Sequence, residues 1–389
     1  MNRRFITLAA LFLFIRAFAL SPLEQRIADI IGDADMGVAV ISDLGDTIAV
    51  NGDRHFELQS VYKFHQAYAL ARVLPFDEMM NRQVEFTAAD LRPGTWSPLR
   101  AAMPEGGSLS LPGLLYYSLR MSDNNVADIL FDRFLKPAQV DSVLKAAVPA
   151  RDFAIANTEA ELHADPSLSE ANFSTPLDCA ILFDRAFAVD TAASMAVVKA
   201  VLLSESEFGK ERIVKGIGNG TVFHKTGTGY ADADGRLTAV NDAAFVYYPR
   251  SCGDLGFYSI AVFAADCEQP VAEKKMAEIS EAVWSHYIMR SNELAVNSIS
   301  APAGIRRPSK VKLPRPNFLA DALGAIVGGV VESTIDRVLW GEESCPEPVR
   351  VRSDSDDEDN NELYSSRNGS KSSSRGASST SQRRPRTRR

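Results

Sequence analysis

The chain has 389 residues, 46% of them hydrophobic and 24% charged, enough apolar material for a large core and the composition of an ordinary globular protein. Its formal net charge of -8 argues against nucleic acid or an anionic membrane surface as the partner of the whole chain, because basic residues are banded only at the extreme C-terminus. The five histidines are scattered and no pair among the four cysteines has the spacing of a zinc site, so neither a metal nor a cofactor is expected.

Met1-Asn2-Arg3-Arg4, the apolar stretch Phe5 to Ile15 and the small-x-small triplet Ala17-Phe18-Ala19 read as a signal peptide over 1–19, too short for a permanent span. A buried N-terminal helix is the alternative. Export by general secretion to a periplasm or the medium follows, since the residues around Arg3-Arg4 fit a twin-arginine signal poorly. Disulfides form in such a compartment, yet Cys252 lies in a turn between two strand-like runs and Cys267 follows the second. Cys179 sits in the helix-like segment Pro176 to Ala188 and Cys345 in the tail, so free thiols are expected.

Met36 to Ser42 and Thr47 to Asn51 are apolar runs joined by Asp43-Leu44-Gly45-Asp46, which predicts a hairpin. From Ser60 to about Phe208 the patterns are mostly helical, broken at Arg92-Pro93-Gly94, Pro104-Glu105-Gly106-Gly107 and Asp165-Pro166. Strands return at Val222 to Thr226, Ala239 to Tyr248 and Phe257 to Ala265, and Val271 to Met289 closes as an amphipathic helix. The fold class is therefore α/β, in the α+β sense: one antiparallel sheet built from both chain ends and flanked by helices, with a helical insertion beside it and a cleft between. Residues 20–59 and 213–290 form the sheet part and 60–212 the helical part.

Past Arg290 the composition changes. Residues 291–318 read as a Pro-rich, basic linker, and 319–340 as an apolar segment whose Asp321, Glu332, Asp336 and Arg337 suit an interfacial helix better than a stable membrane span. Residues 341–389 carry an acidic run, a Ser-rich stretch and a terminal Arg cluster, and read as a disordered low-complexity tail with no assignable partner.

Three short segments carry chemistry. Ser60 and Lys63 in Ser60-Val61-Tyr62-Lys63 are three apart, so on a helix opening at Ser60 the amine can reach the hydroxyl and activate it as a nucleophile; by spacing alone the pair also fits a solvated helix face. Ser122-Asp123-Asn124 falls on a break after the helix-like Leu111 to Arg120. There Ser122 can pass a proton to a leaving nitrogen and Asn124 can bind a substrate amide and hold Lys63, while a helix cap for Asn125 to Phe134 fits as well. In Lys225-Thr226-Gly227-Thr228, Gly227 permits close approach to a strand edge, Lys225 and the hydroxyls of Thr226 and Thr228 suit a carboxylate, and the Thr228 amide can donate to an oxyanion.

These segments, in this order and with Thr158-Glu159-Ala160-Glu161-Leu162-His163 between the second and third, resemble a class A serine β-lactamase over about residues 20–290. Gln59 to His65 and Leu91 to Arg100 resemble the PER and CfxA branch of that family. The resemblance implies a β-lactamase and penicillin-binding-transpeptidase-like fold with a five-stranded sheet, a small-molecule β-lactam substrate and a Ser60 acyl-enzyme cleared by a water that Glu159 activates. It implies Lys63 or Glu159 as the base for acylation, catalytic Ser122, and substrate-binding Asn124, His163, Lys225, Thr226, Gly227 and Thr228. A monomer is expected.

The family commonly braces the loop bearing the Glu with an Arg and Asp pair, where this chain has Asn157 and Asn172. His163 stands where an Asn is usual and is read as holding the same water by a ring nitrogen, with loop filling as the alternative. Glu161 reads as structural or solvated, and Arg236 as a further candidate for the substrate carboxylate. A penicillin-binding DD-peptidase or sensor shares the Ser and Lys elements but normally lacks the deacylating Glu; a quiet scaffold is disfavoured by the intact residues.

Overall fold

The computed structural model describes residues 20–299 apart from 205, 207 and 252. These lie in the first of the two units into which the chain divides, Met1–Cys345 and Pro346–Arg389. The expected signal peptide, the rest of the linker, the 319–340 segment and the tail lie outside the described residues.

Helix α1 (Pro22–Ile31) starts at a capping box in which Ser21 and Glu24 satisfy each other's amides, and it buries Leu23, Ile27 and Ile31, spaced one turn apart. The predicted hairpin follows as β1 (Met36–Ser42) and β2 (Thr47–Val50), turning through Gly45 at φ +84°. A short 3-10 turn, Gln59–Val61, leads into α2 (Tyr62–Val73), in which every residue from Tyr62 to Ala71 is buried. Then come α3 (Leu111–Leu119), α4 (Asn124–Arg133), α5 (Glu159–Ala164), α6 (Pro176–Asp184) and α7 (Ala193–Leu203). The chain returns to the sheet through β3 (Thr221–Thr228), β4 (Leu237–Pro249) and β5 (Leu255–Cys267), and α8 (Gln269–Ile299) runs past the Arg290 boundary read from the sequence.

The five strands make one antiparallel sheet in the order β2-β1-β5-β4-β3, so the first and last parts of the chain meet along β1 and β5, from Met36 opposite Ala264 to Ser42 opposite Tyr258. Both faces are covered. Ala39, Phe223, Phe245, Ala261 and Phe263 face the helical block, while Val38, Val40, Val246, Ile260 and Val262 face α1 and α8. Burial on both sides is why these strands read as continuous apolar runs rather than as alternation. Helix α2 is the axis of the helical block: Phe64 stacks on Phe183 with centroids 3.9 Å apart, and burial of such a ring contributes roughly 1.5–3 kcal/mol.

The helical block also contains strands that the pattern did not show. Gln83–Thr87 and Gly106–Ser110 pair antiparallel with Val84 and Phe86 turned inward, and Phe56–Glu57, from just before the block, joins Phe173–Ser174 and Phe153–Ala154 in a small sheet that clamps the two ends of the loop carrying Glu159. Runs of two to five residues are too short to carry a period. Cys179 and Cys267 are free, Cys179 within the core and Cys267 at the end of β5. Among the described residues no single helix is long and apolar enough to cross a membrane; the apolar segments Pro176–Val189 and Ala193–Leu203 meet at 114° and contribute Cys179, Phe183, Met195 and Val198 to the core.

Candidate active site

Ser60 sits in the 3-10 turn at the head of α2, next to Gln59, whose φ of +47° is uncommon for a residue with a side chain. Strand β3 packs hard against this turn. A Cβ at Gly227 would stand 2.6 Å from the carbonyl oxygen of Leu58 and 3.3 Å from the amide nitrogen of Ser60. The structural requirement for glycine there is thus the protein's own packing, beyond the substrate approach that the sequence suggested.

Lys63 is fully buried and its Nζ is the hub of the site. It lies 2.9 Å from Ser60 Oγ, 2.9 Å from the Ser122 carbonyl oxygen, 2.6 Å from Asn124 Oδ1 and 3.2 Å from Glu159 Oε1. Ser122 adopts φ +55°, which turns its carbonyl to Lys63 while its Oγ accepts from Lys225 Nζ at 3.0 Å. Ser122 therefore joins the two lysines. Burial, and after it the charges of Lys63 and Arg120, hold the Lys225 amine well below its usual range.

Residues 96–99 are interlocked with the Ser122 segment. Asp123 caps α4 by accepting from the Val126 amide, and also accepts from the Leu99 amide at 2.7 Å and from the Ser97 hydroxyl. Both readings of Ser122-Asp123-Asn124 are thus compatible: Asp123 supplies the cap while Ser122 and Asn124 face Lys63. Trp96 donates to the Met121 carbonyl at 2.8 Å and meets Phe208 edge-on at 5.9 Å.

Glu159 opens α5, where Thr158 and Glu161 form a capping box, so Glu161 is committed to the helix end. The Glu159 carboxylate takes Tyr62 OH at 2.9 Å on the same Oε1 that faces Lys63. Its amide donates to Asp128 Oδ1 at 2.8 Å, and the other Asp128 oxygen pairs with Arg92. Burial pushes the Asp128 carboxyl up to about 6 against the pull of Arg92. In place of an Arg and Asp brace, the buried Asn172 accepts from the amides of Ala156 and Asn157 at 2.8 and 2.9 Å and donates back to the Asn157 carbonyl, while Asn157 donates to the Leu168 carbonyl.

Of the residues singled out in the sequence, Ser60, Lys63, Ser122, Asn124, Glu159 and Lys225 converge on this network. Thr226 is buried with its methyl toward Gly209, and Thr228 is exposed at the end of β3. Two candidates stand elsewhere. His163 is exposed, with its ring beside Gly94, where the φ of +80° is what calls for glycine. Arg236 pairs with Asp266 at the end of β5, and it is Arg212 that reaches the Thr228 hydroxyl, at 2.8 Å.

Known proteins resemble this chain in sequence and in fold. A model of the β-lactamase enzyme family matches residues 22–287. The chain belongs to the class A β-lactamases. A β-lactamase of Phocaeicola vulgatus is 34% identical over 263 residues, covering 64% of this chain and 79% of the relative. The extended-spectrum β-lactamase PER-1 of Pseudomonas aeruginosa is 29% identical, over 72% of this chain and 92% of its own. The crystal structure of a β-lactamase from Chitinophaga pinensis superposes with a TM-score of 0.63 at 28% identity, covering 69% of this chain and all of that one.

Sequence reasoning on this β-lactamase missed Arg212. It is buried, donates to the carbonyls of Gly227 and Asn241, and is paired with Glu273, 61 residues further on. Nothing in Lys210-Glu211-Arg212 distinguishes it from an ordinary surface run. Tyr62 was visible within the Ser-x-x-Lys segment but carried no role, although a hydroxyl on a helix otherwise buried in apolar surroundings needs a partner.

Proposed function

We propose that this β-lactamase opens the lactam amide of penicillins and cephalosporins through an acyl-enzyme on Ser60 that a Glu159-activated water hydrolyses, giving resistance to those antibiotics. The observation that carries the reading is the position of Lys63 Nζ, 2.9 Å from the Ser60 hydroxyl and 3.2 Å from the Glu159 carboxylate. Either partner of that relay, Lys63 directly or Glu159 through it, takes the Ser60 proton as Oγ attacks the lactam carbonyl. The amides of Ser60 and Thr228 donate to the oxyanion at the head of α2.

The lactam nitrogen leaves with a proton from Ser122, which Lys225 replenishes; its lowered amine suits that transfer. Water then gives a proton to Glu159, its oxygen attacks the acyl carbon, and the bond to Ser60 Oγ breaks as that oxygen regains a proton. Lys225, Thr226 and Thr228, the last oriented by Arg212, receive the substrate carboxylate, Gly227 keeps the strand edge close, and Asn124 binds the side-chain amide while holding Lys63. His163 acts as loop filling beside Gly94 in this reading. Residues 1–19 direct export, which fractionation of cells making the full chain checks.

A chromogenic cephalosporin and intact-protein mass spectrometry with a penicillin test the mechanism. Glu159→Gln keeps the carboxamide shape but cannot take a proton, so turnover falls by roughly 10²–10⁴-fold and a penicilloyl adduct accumulates. Ser60→Ala shows no adduct. Parent-rate turnover by Glu159→Gln would sink the assignment of the base, and a parent enzyme that is acylated without turnover would favour the DD-peptidase or sensor reading.

A further inference from the structure

Tyr62 is buried on all sides, its ring stacked on Phe131 at 5.7 Å, and its hydroxyl donates to Glu159 Oε1 at 2.9 Å across 97 residues of chain. Lys63 Nζ faces the same oxygen at 3.2 Å, and among the described residues no donor reaches Oε2. We propose that Tyr62 is a positioning residue for deacylation: with Lys63 it pins Oε1 of Glu159, so that Oε2 is the oxygen that receives the proton of the attacking water. The inference rests on Glu159 being the deacylating base. In the step, the water O–H bond breaks toward Oε2, the water oxygen bonds to the acyl carbon, and the carbon to Oγ bond of Ser60 breaks with Oγ protonated from Lys63.

The other charged and titratable groups around this carboxylate are Asp128 on α4, Arg92 behind it and Tyr230 beyond β3. Among the described residues, only Tyr62 and Lys63 bring a polar side-chain atom within reach of the carboxylate oxygens. Burial, followed by the charge of Glu159, holds the Tyr62 phenol well above its usual range, so it stays a donor throughout the working pH. A donor to an ionised carboxylate stabilises the anion over the acid. Removing it must therefore move the acid limb of deacylation to higher pH, a change that a purely packing role would not cause.

The test uses Tyr62→Phe, which keeps the ring, and a chain with difluorotyrosine placed only at 62, whose more acidic phenol donates more strongly. Single-turnover acylation and deacylation of a penicillin are followed from pH 5 to 9. Tyr62→Phe is expected to deacylate roughly 10- to 100-fold more slowly, and to shift the acid limb of that step up by about one pH unit. The difluoro chain shifts it down, and carries the test if Tyr62→Phe does not fold. An acid limb of deacylation that stays in place in both proteins overturns the inference. If Glu159→Gln fails to trap an adduct, the base assignment falls first and this inference with it; if it traps one while the Tyr62 variants keep the parent limb, only the role of Tyr62 falls.

Discussion

Helix α2, which carries Lys63, and the loop 157–172, which carries Glu159, are held by different forces. Every residue of α2 from Tyr62 to Ala71 is buried, whereas in the loop only Glu159, Leu162, Ser169 and Asn172 are. The helix is fixed by close-packed rings such as Phe64 on Phe183 and Phe187. The loop is fixed by hydrogen bonds that Asn172 and Asp128 accept from backbone amides. Lys63, proposed to serve acylation, thus shares its support with the fold as a whole, while Glu159, proposed to clear the acyl-enzyme, hangs on a few polar contacts. Damage to the first should appear as lost stability, and damage to the second as a change in the ratio of the two chemical steps.

Phe64→Ala should produce the largest effect. It deletes a fully buried ring from the stack around α2 and is expected to cost about 3–5 kcal/mol in chemical denaturation. At temperatures where the variant is folded, single-turnover acylation and deacylation should keep their parent ratio. A selective loss of deacylation would show that the core of α2 also sets the loop.

Asp128 gives the next effect, and it depends on pH. Its folded carboxyl is raised to about 6, so the native state keeps a proton that the unfolded chain has released. The stability this gives is complete below the ordinary value near 4 and is lost as pH rises through about 6, up to roughly 3 kcal/mol in all. Asp128→Asn cannot titrate. Urea unfolding at pH 4 and pH 7 should show the parent's advantage over the variant shrinking by up to that amount; a difference independent of pH would mean that the charge is not held under this burial.

Asn172→Ala should be smaller in stability and larger in chemistry. It leaves the amides of Ala156 and Asn157 and the carbonyl of Asn157 without their partner, at a cost of roughly 2 kcal/mol because exposed neighbours let water substitute. The loop should loosen locally, so mass spectrometry with a penicillin should find acyl-enzyme accumulating while acylation continues. Equal slowing of both steps would erase the contrast between loop and helix.

What could be read from the sequence was local. Ser60 and Lys63 share a helix face because three residues span nearly one turn. The runs that became β1 and β5 were visible because a sheet covered on both faces needs apolar residues at every position. Lys225 to Thr228 was legible because the strand end brings its side chains and amides to one short edge. The capping box of Thr158 and Glu161 is equally local, closing within three residues, but Glu161 was read only as structural or solvated.

The contacts that complete the site were set by tertiary structure. Tyr62 and Glu159 are separated by 97 residues, Lys225 and Ser122 by 103, and Arg212 and Glu273 by 61, distances at which no helical or strand period relates one side chain to another. The choice of Arg212 over Arg236 at Thr228, and the outward turn of His163 toward Gly94, followed from where separate segments crossed. Sequence alone determined which chemical groups this β-lactamase carries and which of them are neighbours along one turn or one strand. Only the folded chain decided which of them touch, because partners far apart in sequence are chosen by the packing of whole elements and by the burial that obliges each polar atom to find a mate.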